Sequence, residues 1–315
     1  MEITGNAFSF GWEESLIIRI QSVMGGAGTA IASFLSEFGE EIVCVILIGL
    51  LYWCLDKEYG RFVGMNLMIA ITVNPLIKDA VMRPRPYFTN PDIKCLKPYK
   101  SSADLYSVKA QGYSFPSGHA TNSSTLFGSL ALYGKKRWLT VIGIVIPFLC
   151  GISRFCLGLH YPTDVLAGWA CGVIVIFLVP CLEKKLMKRY LYTILLVISL
   201  SGFLYCQSDD YFSAVGLLVG FILAVEFEGR FVKFESTGSP VRCVLRLAGG
   251  LAVFFMLNTV LKLPFSDSFL ESGTTAAHIV RSARYLVISF VDMGVYPLAF
   301  RLGNKLFVRK DNRRA

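Results

Sequence analysis

Hydrophobic residues fall in long blocks along this chain, and polar residues collect between the blocks instead of alternating within them. Blocks long enough to cross a bilayer recur over the whole length. They predict nine membrane-spanning helices, near residues 38–55, 61–79, 119–134, 138–156, 162–181, 190–206, 210–226, 243–262 and 279–300. Polar residues interrupt the last two. Residues 1–37 follow another pattern. Trp12, Leu16, Ile17, Ile20, Val23 and Met24 recur at helical spacing, with Glu13, Glu14, Arg19 and Gln21 off that face. This predicts an amphipathic helix lying on the membrane, broken at Gly25-Gly26-Ala27-Gly28. A helix packed against a bundle would carry the same pattern.

Composition agrees with a membrane protein. The 315 residues are 54% hydrophobic and 17% charged, with a mean hydropathy of +0.55; soluble domains carry roughly 25% charged residues. The expected fold is all-α, a polytopic transmembrane helical bundle. The net charge of +9 would point to nucleic acid in a soluble chain. Here it sorts by loop. One set of alternate connections holds Lys57/Arg61, Lys135/Lys136/Arg137, Lys184/Lys185/Lys188/Arg189, Arg230/Lys233/Arg242/Arg246 and the basic tail Arg301 to Arg314. These are 19 of the 31 Lys and Arg. The positive-inside rule makes that side, with the C-terminus, cytoplasmic. The N-terminus and the 80–118 and 157–161 loops then face outward, and nucleic acid is not expected as a partner. The first 40 residues lack the basic stretch and apolar core of a cleavable signal. The nine cysteines show no CxxC or Cys/His metal spacing, and Cys44, Cys54, Cys150, Cys171 and Cys181 sit in apolar blocks. Cys95 lies in a polar loop with no evident partner.

Three stretches on the outward side carry chemistry. The first, Lys78-Asp79-Ala80-Val81-Met82-Arg83-Pro84-Arg85-Pro86, closes the second span. Helical geometry would align Lys78 with Arg85, whereas Pro84 and Pro86 favour a helix end with Arg85 on extended chain. The second, Tyr113-Ser114-Phe115-Pro116-Ser117-Gly118-His119, runs into the third span. Pro116 suits the first turn of a helix, and Ser117 and Gly118 would offer N–H groups and a hydroxyl at its positive end, an anion site. The third runs from Gly151 to Asp164 and contains Ser153, Arg154, His160 and Asp164. A helix would place His160 and Asp164 on one face, and a carboxylate against one ring nitrogen leaves the other free to attack. A loop histidine beside a helix-capping Asp is the plainer alternative. His119 weighs against it, as a second of only three histidines at the mouth of an apolar block. The cations outnumber what one carboxylate needs and suit phosphate. Two imidazoles suit phosphoryl transfer through a covalent intermediate. Asp79 and Asp164 are the only acids beside these stretches and make no magnesium site, so Lys and Arg would neutralise charge. The 87–115 connection, with Lys94, Lys97, Lys100, Lys109 and several aromatic residues, reads as a lid or binding element, or as a solvated loop.

Lys78-x6-Arg85-Pro86, then Pro116-Ser117-Gly118-His119, then Ser153-Arg154-x5-His160-x3-Asp164 resembles the three-part signature of the type 2 phosphatidic acid phosphatase (PAP2) superfamily. That superfamily includes lipid phosphate phosphatases, undecaprenyl-diphosphate phosphatases and glucose-6-phosphatase. The resemblance covers residues 78–164. It implies a six-helix catalytic core over 38–206, with 1–37 as an N-terminal segment and 207–315 as additional helices and a basic tail. It also implies hydrolysis of a phosphomonoester or diphosphate with no metal or other cofactor. By the resemblance, His160 is the nucleophile, oriented by Asp164, and His119 is the general acid and then the base. Lys78, Arg85, Ser117, Gly118 and Arg154 hold the phosphoryl oxygens. Arg83 lies outside the pattern in a supporting role, and Ser153 matches it without a clear one.

A site at the membrane surface favours a substrate with an anchored tail, such as undecaprenyl diphosphate, phosphatidic acid, phosphatidylglycerophosphate or a long-chain base phosphate. A soluble sugar phosphate is also compatible. The alternatives are phosphotransfer to a second lipid and transport of an anionic lipid without cleavage. Outside the signature, His278 is expected on the surface of the last outer loop, and buried Asp292 either pairs with a neighbour or marks a site.

Overall fold

The computed structural model describes residues 8–300. It is all-helical. In chain order the helices are α1 (Gly11–Ser36), α2 (Glu41–Gly49), α3 (Lys57–Val81), α4 (Pro86–Thr89), α5 (Val108–Gln111), α6 (Gly118–Gly134), α7 (Arg137–Cys156), α8 (Pro162–Lys185), α9 (Lys188–Ser201), α10 (Asp209–Phe227), α11 (Pro240–Val260), α12 (Asp267–Leu270) and α13 (Thr275–Phe290). The basic tail from Arg301 lies outside the described residues.

All nine predicted spans are helical. Among the described residues, seven helices are long and apolar enough to cross a membrane. Six of them are predicted spans and the seventh, Gly11–Gly39, includes α1. The other three predicted spans are shorter: the apolar stretch Glu41–Leu55, the 17-residue α6 and the 14-residue α9. At 1.5 Å per residue, α6 rises about 26 Å, less than the roughly 30 Å hydrocarbon core. Its Thr121, Ser123, Ser124, Thr125 and Ser129 side chains are buried, and Thr121, Ser123 and Ser124 donate to carbonyls one turn back in or just ahead of the helix.

Helix α1 is not a lone surface helix. It packs along α7, the second of the two arrangements its pattern allowed. Gly25, at φ 58°, kinks the helix without ending it.

The chain forms two compact units. The first comprises Met1–Cys44 and Ile69–Tyr211, the second Val45–Met68 and Phe212–Ala315. In the first, α6 lies against both α7 and α8. Glycines set the spacing of α6 and α8: a Cβ at Gly168 would sit 2.6 Å from the Ser117 carbonyl oxygen, and one at Gly172 would collide with the Ser124 hydroxyl. The polar 87–115 connection is ordered by Gln111, which is buried. Its Oε1 accepts from the Tyr99 N–H (2.9 Å) and its Nε2 donates to the Lys100 carbonyl (3.0 Å). Asp79 accepts from the N–H groups of Gln207 (3.1 Å) and Ser208 (3.0 Å), so it anchors the start of α10.

In the second unit, Lys57 pairs with buried Glu228 at 3.0 Å, and Arg246 donates to the Trp53 and Glu235 carbonyls. His278 is not a surface residue. It lies in α13, is 6% exposed, and stacks on Phe212 with ring centroids 4.0 Å apart. The helix begins at Thr275, three residues ahead of it, so the imidazole joins a buried face. Asp292 is buried and forms no ion pair among the described residues, so of its two alternatives the pairing with a charged neighbour is not seen. All nine cysteines are free thiols.

The α6–α8 contact yields a prediction. Gly168→Val should destabilise the protein by about 1–3 kcal/mol through overpacking, read as a lower unfolding midpoint in detergent. An unchanged midpoint would show that the two helices are not held this closely.

Candidate active site

Four helix ends of the first unit meet here: the C-terminal ends of α3 and α7, and the starts of α6 and α8. Helix α3 stops at Val81, and Met82 turns left-handed at φ 53°. Arg85 is then on extended backbone (φ −73°, ψ 153°) ahead of α4, as the two prolines favour. Lys78 stays in the last turn of α3, within electrostatic reach of Arg85, Asp79, Asp164 and Asp210.

Arg85 is 4% exposed. Its Nε donates to the carbonyls of Gln111 (2.9 Å) and Gly112 (3.1 Å), and its Nη1 to that of Leu159 (3.1 Å). These bonds hold the guanidinium plane through Nε and Nη1 and leave Nη2 out of the backbone contacts. Arg154 is also buried. Its Nη1 donates to Ser36 Oγ, and its Nε has no hydrogen-bond partner among the described residues. A buried N–H costs free energy unless something accepts from it, and an anion's oxygen would do so. Lys78, Arg85 and Arg154 form no ion pair with a carboxylate among the described residues.

Ser117 caps α6, accepting from the Ala120 N–H, and its own N–H donates to the Asp164 carbonyl at 3.0 Å. Pro116 therefore precedes the cap and does not occupy the first helical turn. Gly118 opens the helix, where N–H groups have no intrahelical acceptor. The next residue, His119, is half-buried and meets Glu40: Nε2 and Oε1 are 3.0 Å apart. Gly39 permits this approach, because a Cβ there would lie 2.7 Å from His119 Cβ. The hydrogen bond to His119 holds the Glu40 carboxyl down at about 2 despite its burial, so it is ionised. Lys97 sits 3.8 Å from the same oxygen and 2.6 Å from Glu37.

His160 precedes α8 and is 2% exposed. Its Nδ1 lies 2.7 Å from the Ser114 carbonyl oxygen and 3.7 Å from Asp164 Oδ2. A carbonyl only accepts, so Nδ1 carries the proton and Nε2 keeps its lone pair. The direct partner is thus Ser114, with Asp164 one step behind. Asp164 Oδ2 accepts from Ser114 Oγ and from the Tyr161 N–H (2.7 Å). Burial, then the charges of Arg85, Arg154 and Lys78, push the His160 imidazole well below its ordinary range, so it is neutral.

Arg83 belongs to this site more closely than its place outside the signature predicts. It is fully buried, donates from Nη1 to Asp164 Oδ1 (2.6 Å) and from Nη2 to Glu13 Oε2 (2.8 Å), and lies between the rings of Phe8 and Tyr161. Glu13, from the first turn of α1, also accepts from the N–H (3.0 Å) and hydroxyl (2.6 Å) of Thr163. Ser153 donates to the Cys150 carbonyl inside its own helix. Every signature residue lies in the first unit. The pattern did not reveal Glu13, Ser36, Glu40 or Ser114. Glu13 stood out only as a polar residue off the apolar face of the N-terminal helix, Glu40 fell within the predicted 38–55 span, and Ser114 was visible only as a neighbour of Pro-Ser-Gly-His. Among the described residues, no three His, Cys, Asp or Glu side chains converge as metal ligands would.

The sequence matches that of known proteins. An undecaprenyl-diphosphatase of Sulfolobus acidocaldarius is 33% identical over 147 residues, 46% of this chain and 66% of that protein. A lipid A 4'-phosphatase of Bacteroides thetaiotaomicron is 30% identical over 146 residues, 44% of this chain and 64% of that one. The chain thus spans slightly under two thirds of these relatives. A crystal structure of a PAP2-type phosphatidylglycerolphosphate phosphatase from Bacillus subtilis superposes with a TM-score of 0.42 at 22% identity, over 57% of this chain and 90% of that one. Residues 59–188 match the model of the PAP2 superfamily, and residues 212–306 match that of the PAP2 superfamily phosphatase, transmembrane extension. This chain is an integral membrane protein and belongs to the PAP2 superfamily.

Proposed function

We propose that this protein hydrolyses a lipid phosphate or diphosphate by a metal-independent route through a phosphohistidine on His160. One observation carries the reading: a neutral, buried His160 with its proton fixed on Nδ1 beside Lys78, Arg85 and Arg154, three cations without a carboxylate partner among the described residues. The relatives are named for anionic lipids, and a substrate of that class brings the charge these cations lack.

The phosphoryl group binds against Lys78, Arg85, Arg154 and the Ser117–Gly118 start of α6. Arg154 Nε gains an acceptor on binding. His160 Nε2 attacks phosphorus as the bond from phosphorus to the leaving oxygen breaks, and protonated His119 gives that oxygen a proton. Burial and the Arg154 charge disfavour protonation of His119, and Glu40, ionised at 3.0 Å, opposes them. The imidazole becomes positive when Nε2 bonds phosphorus. Asp164, 3.7 Å from Nδ1, and the Ser114 carbonyl stabilise that charge. Arg83 and Glu13 hold Asp164 in place. Water then attacks the phosphohistidine, His119 takes its proton, the P–N bond breaks and phosphate leaves with His160 neutral again. The charge asymmetry of the loops supports an outward-facing site with the C-terminus in the cytoplasm.

The direct test is phosphate release by purified protein in detergent with excess EDTA, across isoprenoid, glycerolipid and sphingoid phosphates. Wild type should release phosphate from at least one, and His160→Ala should lose about 10³-fold or more. Equal rates for the two proteins would contradict the reading.

Acid–base behaviour adds a second prediction. kcat/KM should be bell-shaped, with His160 active when deprotonated and His119 when protonated. Because His160 is held well below its ordinary range, the acid limb should fall below pH 6.5. Glu40→Gln removes the carboxylate that favours the His119 imidazolium, so the alkaline limb should move to lower pH and kcat should drop about 10²-fold. An unmoved alkaline limb would remove Glu40 from this role.

A further inference from the structure

Three of the helices that carry the site, α6, α7 and α8, also form a groove toward their opposite ends. Helix α6 packs along both α7 and α8, while α7 and α8 touch each other far less. Between them is a groove of about 590 Å³, with α6 as its floor and α7 and α8 as its walls. Such a volume is in the range of small-molecule sites. Gly128 and Gly143 bring the walls close to the floor: a Cβ at Gly128 would lie 2.8 Å from Ile176 Cδ1, and one at Gly143 would lie 2.9 Å from Ala131 Cβ. The lips are apolar and face outward, with Ile144 66% and Phe177 60% exposed.

The two ends differ. Toward the site the groove is stopped by Trp169, which donates to the Pro147 carbonyl at 3.0 Å and stacks on Phe148 with centroids 5.6 Å apart. Beyond it, the close contacts of Gly151 with the Trp169 ring and of Gly168 with Ser117 and Ala120 separate groove from site. At the other end Lys135 lines the mouth, followed by Lys136 and Arg137, and all three are exposed. Trp138 is also exposed there, as an indole at the level of lipid headgroups would be. From Arg137 to Phe148 the helix rises about 16 Å. That is close to one leaflet, half of a hydrocarbon core of about 30 Å.

We propose that this groove binds one acyl chain of an anionic glycerophospholipid from the leaflet opposite the catalytic site, with the lipid phosphate on Lys135, Lys136 and Arg137. The stopped inner end admits a chain of one leaflet's length, the walls are apolar, and three consecutive cations stand where the headgroup lies. A substrate held at His160 does not reach this groove directly, so the site is separate from hydrolysis.

Trp169 at the inner end makes occupancy measurable. The protein is placed in vesicles of phosphatidylcholine with increasing brominated phosphatidylglycerol, or with brominated phosphatidylcholine alone. The Trp169 signal is the fluorescence lost in Trp169→Phe, one of four tryptophans. Half-maximal quenching should need about fivefold less brominated phosphatidylglycerol than brominated phosphatidylcholine. Replacing Lys135, Lys136 and Arg137 by Gln should abolish that difference. Equal quenching by both lipids means ordinary annular lipid and overturns the proposal. No quenching by either means that protein covers the groove, and it also overturns the proposal. A second measurement leaves the cations intact: Ile144→Phe narrows the groove and should lower the phosphatidylglycerol retained after detergent washing, read by mass spectrometry. Retention equal to wild type would overturn the proposal independently.

Discussion

The hydrogen bond from His160 Nδ1 to the Ser114 carbonyl, 2.7 Å long, is the contact on which the site depends. It determines which ring nitrogen keeps a lone pair, and it is made by backbone, which cannot rotate away as a side chain can. Its geometry requires the chain before α6 to pass the chain before α8. That crossing is tied again where the Ser117 N–H donates to the Asp164 carbonyl and where Ser114 Oγ donates to the Asp164 carboxylate. The small residues at 168 and 172 on α8 let the two helices come this close. Packing deep in the bundle thus fixes a tautomer at its end.

Charge is arranged in two tiers behind this contact. Arg83 is buried between two carboxylates and two aromatic rings, and each of its partners is itself hydrogen-bonded. Buried ion pairs return little net stability because desolvation opposes the Coulomb gain, but removing one member costs about 3–5 kcal/mol. Such a cluster holds position more than it stabilises the fold. Lys78, Arg85 and Arg154 lack carboxylate partners among the described residues, and the field of all three falls on His160. An anion that enters this field relieves their mutual repulsion, and burial together with the same field keeps the imidazole unprotonated.

Much of this was legible in the sequence because it is local. Hydrophobic blocks gave every predicted span as a helix, and proline placed Arg85 on extended chain. The cations and histidines stood out because each lies within a few residues of an apolar block. The supporting residues were not legible because their partners are far along the chain. Glu13 meets Thr163 across 150 positions, Glu40 meets His119 across 79, and Ser36 meets Arg154 across 118. An amphipathic pattern states that α1 has an apolar face but not whether lipid or protein covers it. His278 was misread for a related reason: the turn before α13 ends sooner than its polar residues implied, which puts the ring on Phe212.

The central claim is a covalent bond between phosphorus and His160, and rapid-quench trapping tests it most directly. Wild-type protein would be mixed with a lipid phosphate carrying a radiolabelled phosphoryl group, quenched in alkali within milliseconds and digested. The account predicts label that is stable to alkali and labile to acid, on the peptide containing residue 160, with none in His160→Ala. Label on another residue, or turnover at full rate with no labelled protein at any time, would contradict it.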